Sequence, residues 1–160
     1  MPVENPILSV LYKGPNTVLS VMSQPKIVLD TNIWVAAFRS RHGASAKLIS
    51  LIGRDHFRFV TSVPLVLEYE EVFLRQQRHI NLDVVKVKKL LDLICALSEH
   101  QSIYYLWRPS EPDHDDAHVL ELAVAAKCDY IVTYNKRDFS RAASFGIGVV
   151  SAAEFLQTMG

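Results

Sequence analysis

Cysteine is almost absent from this 160-residue chain: Cys95 and Cys128 stand alone in apolar helical patterns and form no CxxC pair. That argues against a disulfide scaffold or a thiolate metal centre. The expectation is two buried, reduced thiols, which suits a reducing cytoplasm. Net charge is also lacking, with 17 basic residues against 17 acidic ones. No global positive field marks a dedicated duplex-binding protein, so any nucleic acid must be handled at a local site. No apolar run approaches the ~20 residues of a membrane span. The N-terminus lacks a basic segment leading into an unbroken apolar one, so export is not expected. There is no GxxxxGK phosphate loop, and Gly146-Ile-Gly148 lacks the third glycine of a dinucleotide fingerprint, which argues against nucleotide cofactors.

What is present is ordinary globular material, 49% apolar and 21% charged, in one domain's length of chain. Residues 1–25 read differently from the rest. Two apolar stretches, 7–12 and 17–22, flank the turn signal Lys13-Gly14-Pro15-Asn16. A hairpin, a disordered leader, or a start codon placed upstream of a true beginning at Met22 all fit that pattern. The expected organisation is an N-terminal extension over 1–25 and a single domain over 26–160.

From Lys26 the pattern becomes regular. Short β-runs are expected at 26–29, 57–60, 103–106, 130–133 and 148–150. Helical spacing covers 31–38, 45–52, 62–74, 82–97, 116–126 and 140–145. Ser62 is placed as an N-cap with Pro64 in the first turn. Gly146 closes the short helix before it, and Ser151-Ala-Ala-Glu154 is a capping box for a last helix. Strands alternating with helices predict an α/β fold, a three-layer α/β/α sandwich around a parallel sheet of four to five strands.

That topology decides where the acids go. In open parallel sheets the strand-to-helix loops gather at the carboxyl ends of the strands, and ligands bind there. Asp30 follows the first strand directly, and Glu68 lies in the second turn of the helix after the second. Asp113, Asp115 and Asp116 precede the helix that follows the third, and Asn135 and Asp138 follow the fourth. Gathered carboxylates repel one another unless cations neutralise them. An oxygen-only cluster suits Mg²⁺ or Mn²⁺. Helix capping is the plainer alternative, and it accounts well for Asp115 or Asp116 and tolerably for Asp30 or Asp138. It does not account for Glu68, inside a helix. Within that helix the apolar stripe is Leu65, Val66, Tyr69, Val72 and Phe73. Glu71 points away from it, while Glu68 and Glu70 flank it equally.

The chain resembles the PIN-domain family, in particular members that serve as toxins of VapBC-like toxin–antitoxin systems. The resemblance spans about 26–155. It rests on four motifs in order: Lys26-Ile-Val-Leu-Asp-Thr-Asn-Ile-Trp34, Ser62-Val-Pro-Leu-Val-Leu-Glu-Tyr-Glu-Glu-Val72, Pro112-Asp-His-Asp-Asp116 with its Ala/Leu-rich helix, and Tyr130-Ile-Val-Thr-Tyr-Asn-Lys-Arg-Asp-Phe139. It implies a Mg²⁺- or Mn²⁺-dependent endoribonuclease acting on single-stranded RNA. The family's first acid falls on Asp30, its second on Glu68, which separates it from Glu70, and its third on Asp116, with Asp113 and Asp115 as auxiliary acids. Thr31 and Asn32 then stand beside the first acid, and Asp113, Thr133, Asp138, Lys136 and Arg137 are the further positioning candidates at this edge. The fourth acid is often an Asp two residues after the strand-four Thr, and Asn135 stands there instead. An amide accepts a hydrogen bond but carries no charge, so a second metal binds weakly or Asp138 assists. A homodimer, and a small antitoxin whose tail enters the acidic groove, are implied by the same resemblance.

Other readings compete. His114 and His118 are four apart, but a zincin needs Glu where Asp115 stands. A haloacid-dehalogenase-like phosphatase needs a second Asp where Asn32 stands. A PIN-like module that has lost catalysis and binds RNA or protein is the alternative from another class, and Asn135 is the feature in its favour. Arg39, Arg41, Lys136, Arg137 and Arg141 are expected near the active edge, by default as solvated charge. Tyr104, Tyr105 and Trp107 read as strand core in preference to base-stacking platforms.

Overall fold

The structure, a computed structural model, describes residues 24–103 and 117–160. The expected N-terminal extension thus lies almost wholly outside the described residues. The chain runs β1 (Lys26–Leu29), α1 (Thr31–Arg39), α2 (Ala44–Ser50), β2 (Arg58–Thr61), α3 (Val63–Arg75), α4 (Gln77–Ile80), α5 (Val84–Leu97), β3 (Glu99–His100), α6 (Ala117–Ala125), β4 (Tyr130–Val132), a 3₁₀ segment (Lys136–Phe145), β5 (Gly148–Val150) and α7 (Ala152–Thr158). The strands form one parallel sheet in the order β3-β2-β1-β4-β5.

This order gives the fold its functional geometry. From β1 the chain steps outward through β2 to β3, then crosses back to β4 on the other side and steps outward again to β5. Right-handed crossovers running in opposite directions put helices on both faces of the sheet, which is the expected three-layer sandwich. The reversal lies between β1 and β4, and a crevice opens at such a switch point beyond the strand ends.

Ile27, Val28 and Leu29 of β1 are fully buried, as befits a central parallel strand covered on both faces. Trp34 of α1 packs against Phe59 of β2 and against Tyr69 and Phe73 of α3, with ring centroids 6.0, 5.8 and 6.4 Å away. This aromatic cluster locks α1 against α3 and so fixes the starts of both helices. On the other side of β1, Phe155 of α7 packs edge-on to Tyr130 and Phe57, each at 5.5 Å.

The local signals act as expected at several ends. The Ser62 hydroxyl accepts from the Leu65 N–H with Pro64 in the first turn. The Ser151–Glu154 capping box is complete. Gly146 closes the 3₁₀ segment at φ +73°, where a Cβ is disfavoured.

Other expectations are corrected. The third strand is Glu99–His100, not 103–106. Ile103 stands outside it, and residues 104–106, with Trp107, lie outside the described residues. Both strand residues are exposed at the sheet edge. They are held by pairing with Val60 and Thr61 and by the Arg58–Glu99 ion pair, 2.6 Å, so no apolar run marks them. The helix expected over 82–97 begins at Val84, because Asp83 caps it through the Lys86 N–H. Cys128 is buried, and burial pushes its thiol up to about 12, but Cys95 is exposed. The buried stripe of α5 is Val87, Leu91 and Ile94, and Cys95 sits one residue past it. Among the described residues no helix is long and apolar enough to cross a membrane.

Candidate active site

The site grows from the end of β1. Asp30 caps α1, its Oδ1 accepting from the Thr31 N–H at 2.8 Å. The capping reading of this residue is therefore right as far as it goes. It is incomplete, because Oδ2 accepts from the Thr133 hydroxyl at 2.7 Å and from Asn32 Nδ2 at 3.3 Å. Thr133 follows β4, and the Asp30 N–H donates to Val132 O. Asp30 thus sits across the switch point, stitched to both strands that border it.

Asp30 is 5% exposed. Its donors among the described residues are all neutral. Burial pushes its carboxyl above the ordinary value, opposed by the hydrogen bonds from Thr133 and the Thr31 backbone, with the nearby Asp138 charge adding to the rise. A carboxylate held in this way is costly to ionise without a cation beside it.

Glu68 arrives from α3. Its Oε2 accepts the Thr31 hydroxyl at 2.9 Å and lies 3.5 Å from His118 Nε2 on α6. The rotation of α3 is set by its neighbour Tyr69, which is fully buried and donates its hydroxyl to Leu29 O, one residue before Asp30. Burial holds that phenol well above its ordinary value. With Tyr69 pinned inward, Glu68 faces the sheet edge. Glu70 is exposed, and Glu71 is exposed and pairs with Arg75 at 3.4 Å.

The β4 loop completes the described part. Thr133 is fully buried, and its hydroxyl oxygen accepts from the Asn135 N–H at 2.9 Å and from Asn32 Nδ2 at 3.3 Å. Asn32 Oδ1 accepts in turn from the Tyr134 N–H at 3.3 Å. Asn135, Arg137 and Asp138 are exposed. Lys136 is bound to Glu154, 2.6 Å from its Oε1. Asp113, His114, Asp115 and Asp116 lie outside the described residues. Among the described residues no group of three or more His, Cys, Asp or Glu side chains could hold a metal ion. Asp30 and Glu68 are two of the three carboxylates expected. Their all-oxygen, partly buried character fits a hard divalent cation.

Arg39 does not belong here. α1 starts at the site and carries Arg39 about 12 Å along its axis, at ~1.5 Å per residue. There it donates to Gln76 Oε1. Two residues at the site carry no signal for it in the sequence. The spacing of His118 points only to zinc, whereas it faces Glu68. Tyr134 lies between Thr133 and Asn135 and looks like any loop aromatic. A family model described as PIN domain matches residues 26–137. No curated protein matches the chain.

Proposed function

The chain belongs to the PIN-domain family, and from that premise we propose that it is a Mg²⁺- or Mn²⁺-dependent endoribonuclease acting on single-stranded RNA. PIN domains are in general nucleases that use divalent ions. The observation that carries the reading is the double grip of Thr31. Its N–H holds Asp30 and its hydroxyl holds Glu68, which brings two carboxylates from separate elements together at the switch point.

Asp30, Glu68 and Asp116 are the residues that would hold the metal, with Asp113 and Asp115 beside them. When bound, such an ion supplies an activated water and charge stabilisation at the leaving oxygen of a phosphodiester. The chain's own part is positioning. Thr133 and Asn32 orient Asp30, Thr31 orients Glu68, and the Asn135 amide lies at the rim where the family often has a fourth acid. Asp138 adds negative charge near Asp30, and Arg137 offers an exposed cation for phosphate.

The motif resemblance further supports the role of toxin in a toxin–antitoxin pair. It also supports a cytoplasmic location, a homodimer, and a small antitoxin that enters the acidic groove. We read residues 26–160 as the catalytic domain and 1–25 as an extension. A chain starting at Met22 should then keep its activity and a thermal midpoint within a few degrees. Asn135 favours a second reading, a catalytically weakened module that binds RNA or protein. Incubation of a labelled single strand and its duplex with the full chain, in Mn²⁺ or in chelator, separates the two. The proposal expects Mn²⁺-dependent cleavage of the single strand. Binding without cleavage supports the weakened module, and cleavage unaffected by chelator contradicts the metal site.

A further inference from the structure

Tyr134 is a large aromatic residue left 47% exposed in the loop after β4. Single exposed apolar residues are common and need no explanation. Tyr134 differs in being fixed at both ends. Its N–H donates to Asn32 Oδ1 at 3.3 Å, and its phenol oxygen lies 2.6 Å from the Ser45 hydroxyl at the start of α2. Ser45 is itself only 2% exposed. With the hydroxyl engaged by Ser45, it is the ring that is left to offer a ligand.

The ring also has a defined relation to the acids. Asn32, which holds the Tyr134 backbone, donates through Nδ2 to Asp30 Oδ2. Thr133, the preceding residue, donates to the same oxygen. The platform and the carboxylate are therefore joined through the Asn32 side chain, which bonds both, and through Thr133, which holds Asp30 and precedes Tyr134 in the chain. A ring already fixed by its neighbours loses little freedom when something lands on it.

We propose that Tyr134 is a base-stacking platform that seats one nucleotide of a single-stranded RNA beside the Asp30–Glu68 edge. The inference rests on the nuclease reading above and adds a residue that selects the form of the substrate. Bases in a duplex are stacked on each other and offer no free face, whereas an unpaired base can lie on an aromatic ring whatever its identity. Tyr134 thus discriminates strandedness and not sequence.

The competing role is a strut, in which only the hydroxyl bond to Ser45 matters. Tyr134→Ala and Tyr134→Phe both remove that bond and both leave Ser45 without it, so they differ by the ring alone. The test is fluorescence anisotropy of a labelled oligouridylate of about ten nucleotides with the full chain, in chelator so that nothing is cleaved. Tyr134→Ala should bind about tenfold more weakly than wild type, and Tyr134→Phe and Tyr134→Trp within about threefold of it. A strand of abasic residues should bind wild type and Tyr134→Ala alike. Equal affinity of wild type and Tyr134→Ala, a Tyr134→Phe as weak as Tyr134→Ala, or no binding by wild type overturns the platform. The expected binding pattern without any cleavage in Mn²⁺ leaves the platform standing and removes the nuclease reading. Cleavage together with an unchanged affinity in Tyr134→Ala does the reverse.

Discussion

The Thr31 hydroxyl donates to Glu68 Oε2 at 2.9 Å, across a gap of 37 residues in sequence and between two different helices. Because the same residue's N–H holds Asp30, Thr31 sets how the two carboxylates are spaced. Thr31→Val keeps the shape and removes the hydroxyl that donates to Glu68. A partner that orients a metal-binding carboxylate is commonly worth about 10- to 100-fold in metal affinity or activity. Cleavage and Mn²⁺ affinity should fall within that span, while Thr31→Ser stays near wild type. Unchanged Mn²⁺ affinity in Thr31→Val would show that Glu68 needs no such support.

Thr133 makes a prediction about pH. The folded pKa of Asp30 is raised above its unfolded value, so the folded state holds that proton more tightly. The stability this contributes is present in full below about pH 4 and is lost as pH rises through the folded pKa. The Thr133 hydroxyl opposes the rise. Thr133→Val should therefore raise the pKa further and enlarge the loss. Part of the destabilisation is independent of pH, since Asn32 Nδ2 and the Asn135 N–H lose an acceptor. The remainder should grow from pH 4 towards neutrality. Thermal midpoints of both proteins across that range, in chelator, measure it. A gap that stays constant or narrows would mean that Asp30 does not titrate in this way.

Tyr69→Phe tests what aims Glu68. The substitution keeps the ring stack on Phe73, centroids 6.0 Å apart, and removes the hydroxyl that donates to Leu29 O and meets the Trp34 side chain. Leaving one buried acceptor short of its donor costs about 1 to 3 kcal/mol. Urea unfolding should show a loss of that size with an unchanged slope. No loss would mean that the aromatic packing alone fixes α3.

These tests also mark where the sequence is legible. β1 reads correctly because a central parallel strand is apolar on both faces, and a four-residue run is enough to show it. The caps at Asp30, Ser62 and Gly146 and the Ser151–Glu154 box are visible because capping acts within four positions, whereas the bond from Thr133 to Asp30 spans 103. Helical periodicity leaves Glu68 and Glu70 equal. What separates them in the fold is the Tyr69–Leu29 bond and the Trp34 cluster, contacts between segments about 40 residues apart that no local window contains. β3 is hidden for a similar reason. Glu99 and His100 are a strand only because β2 is there to pair with. Tyr134 looks like any loop aromatic until Ser45, 89 positions away, is seen to hold it.

The most direct test of the account is cleavage of a labelled single-stranded RNA in millimolar Mn²⁺ by Asp30→Asn, Glu68→Gln, Asp116→Asn and Glu71→Gln. Thermal unfolding run alongside shows that each variant is folded and whether Mn²⁺ stabilises it. Wild type should gain about 2.7 kcal/mol when the free ion is a hundred times its dissociation constant. The first three variants should lose most of the cleavage and most of that gain while remaining folded. Glu71, exposed and paired with Arg75, should be replaceable with little effect on either. A Glu68→Gln or Asp116→Asn protein that cleaves like wild type and keeps the full response to Mn²⁺ would contradict the shared acidic site.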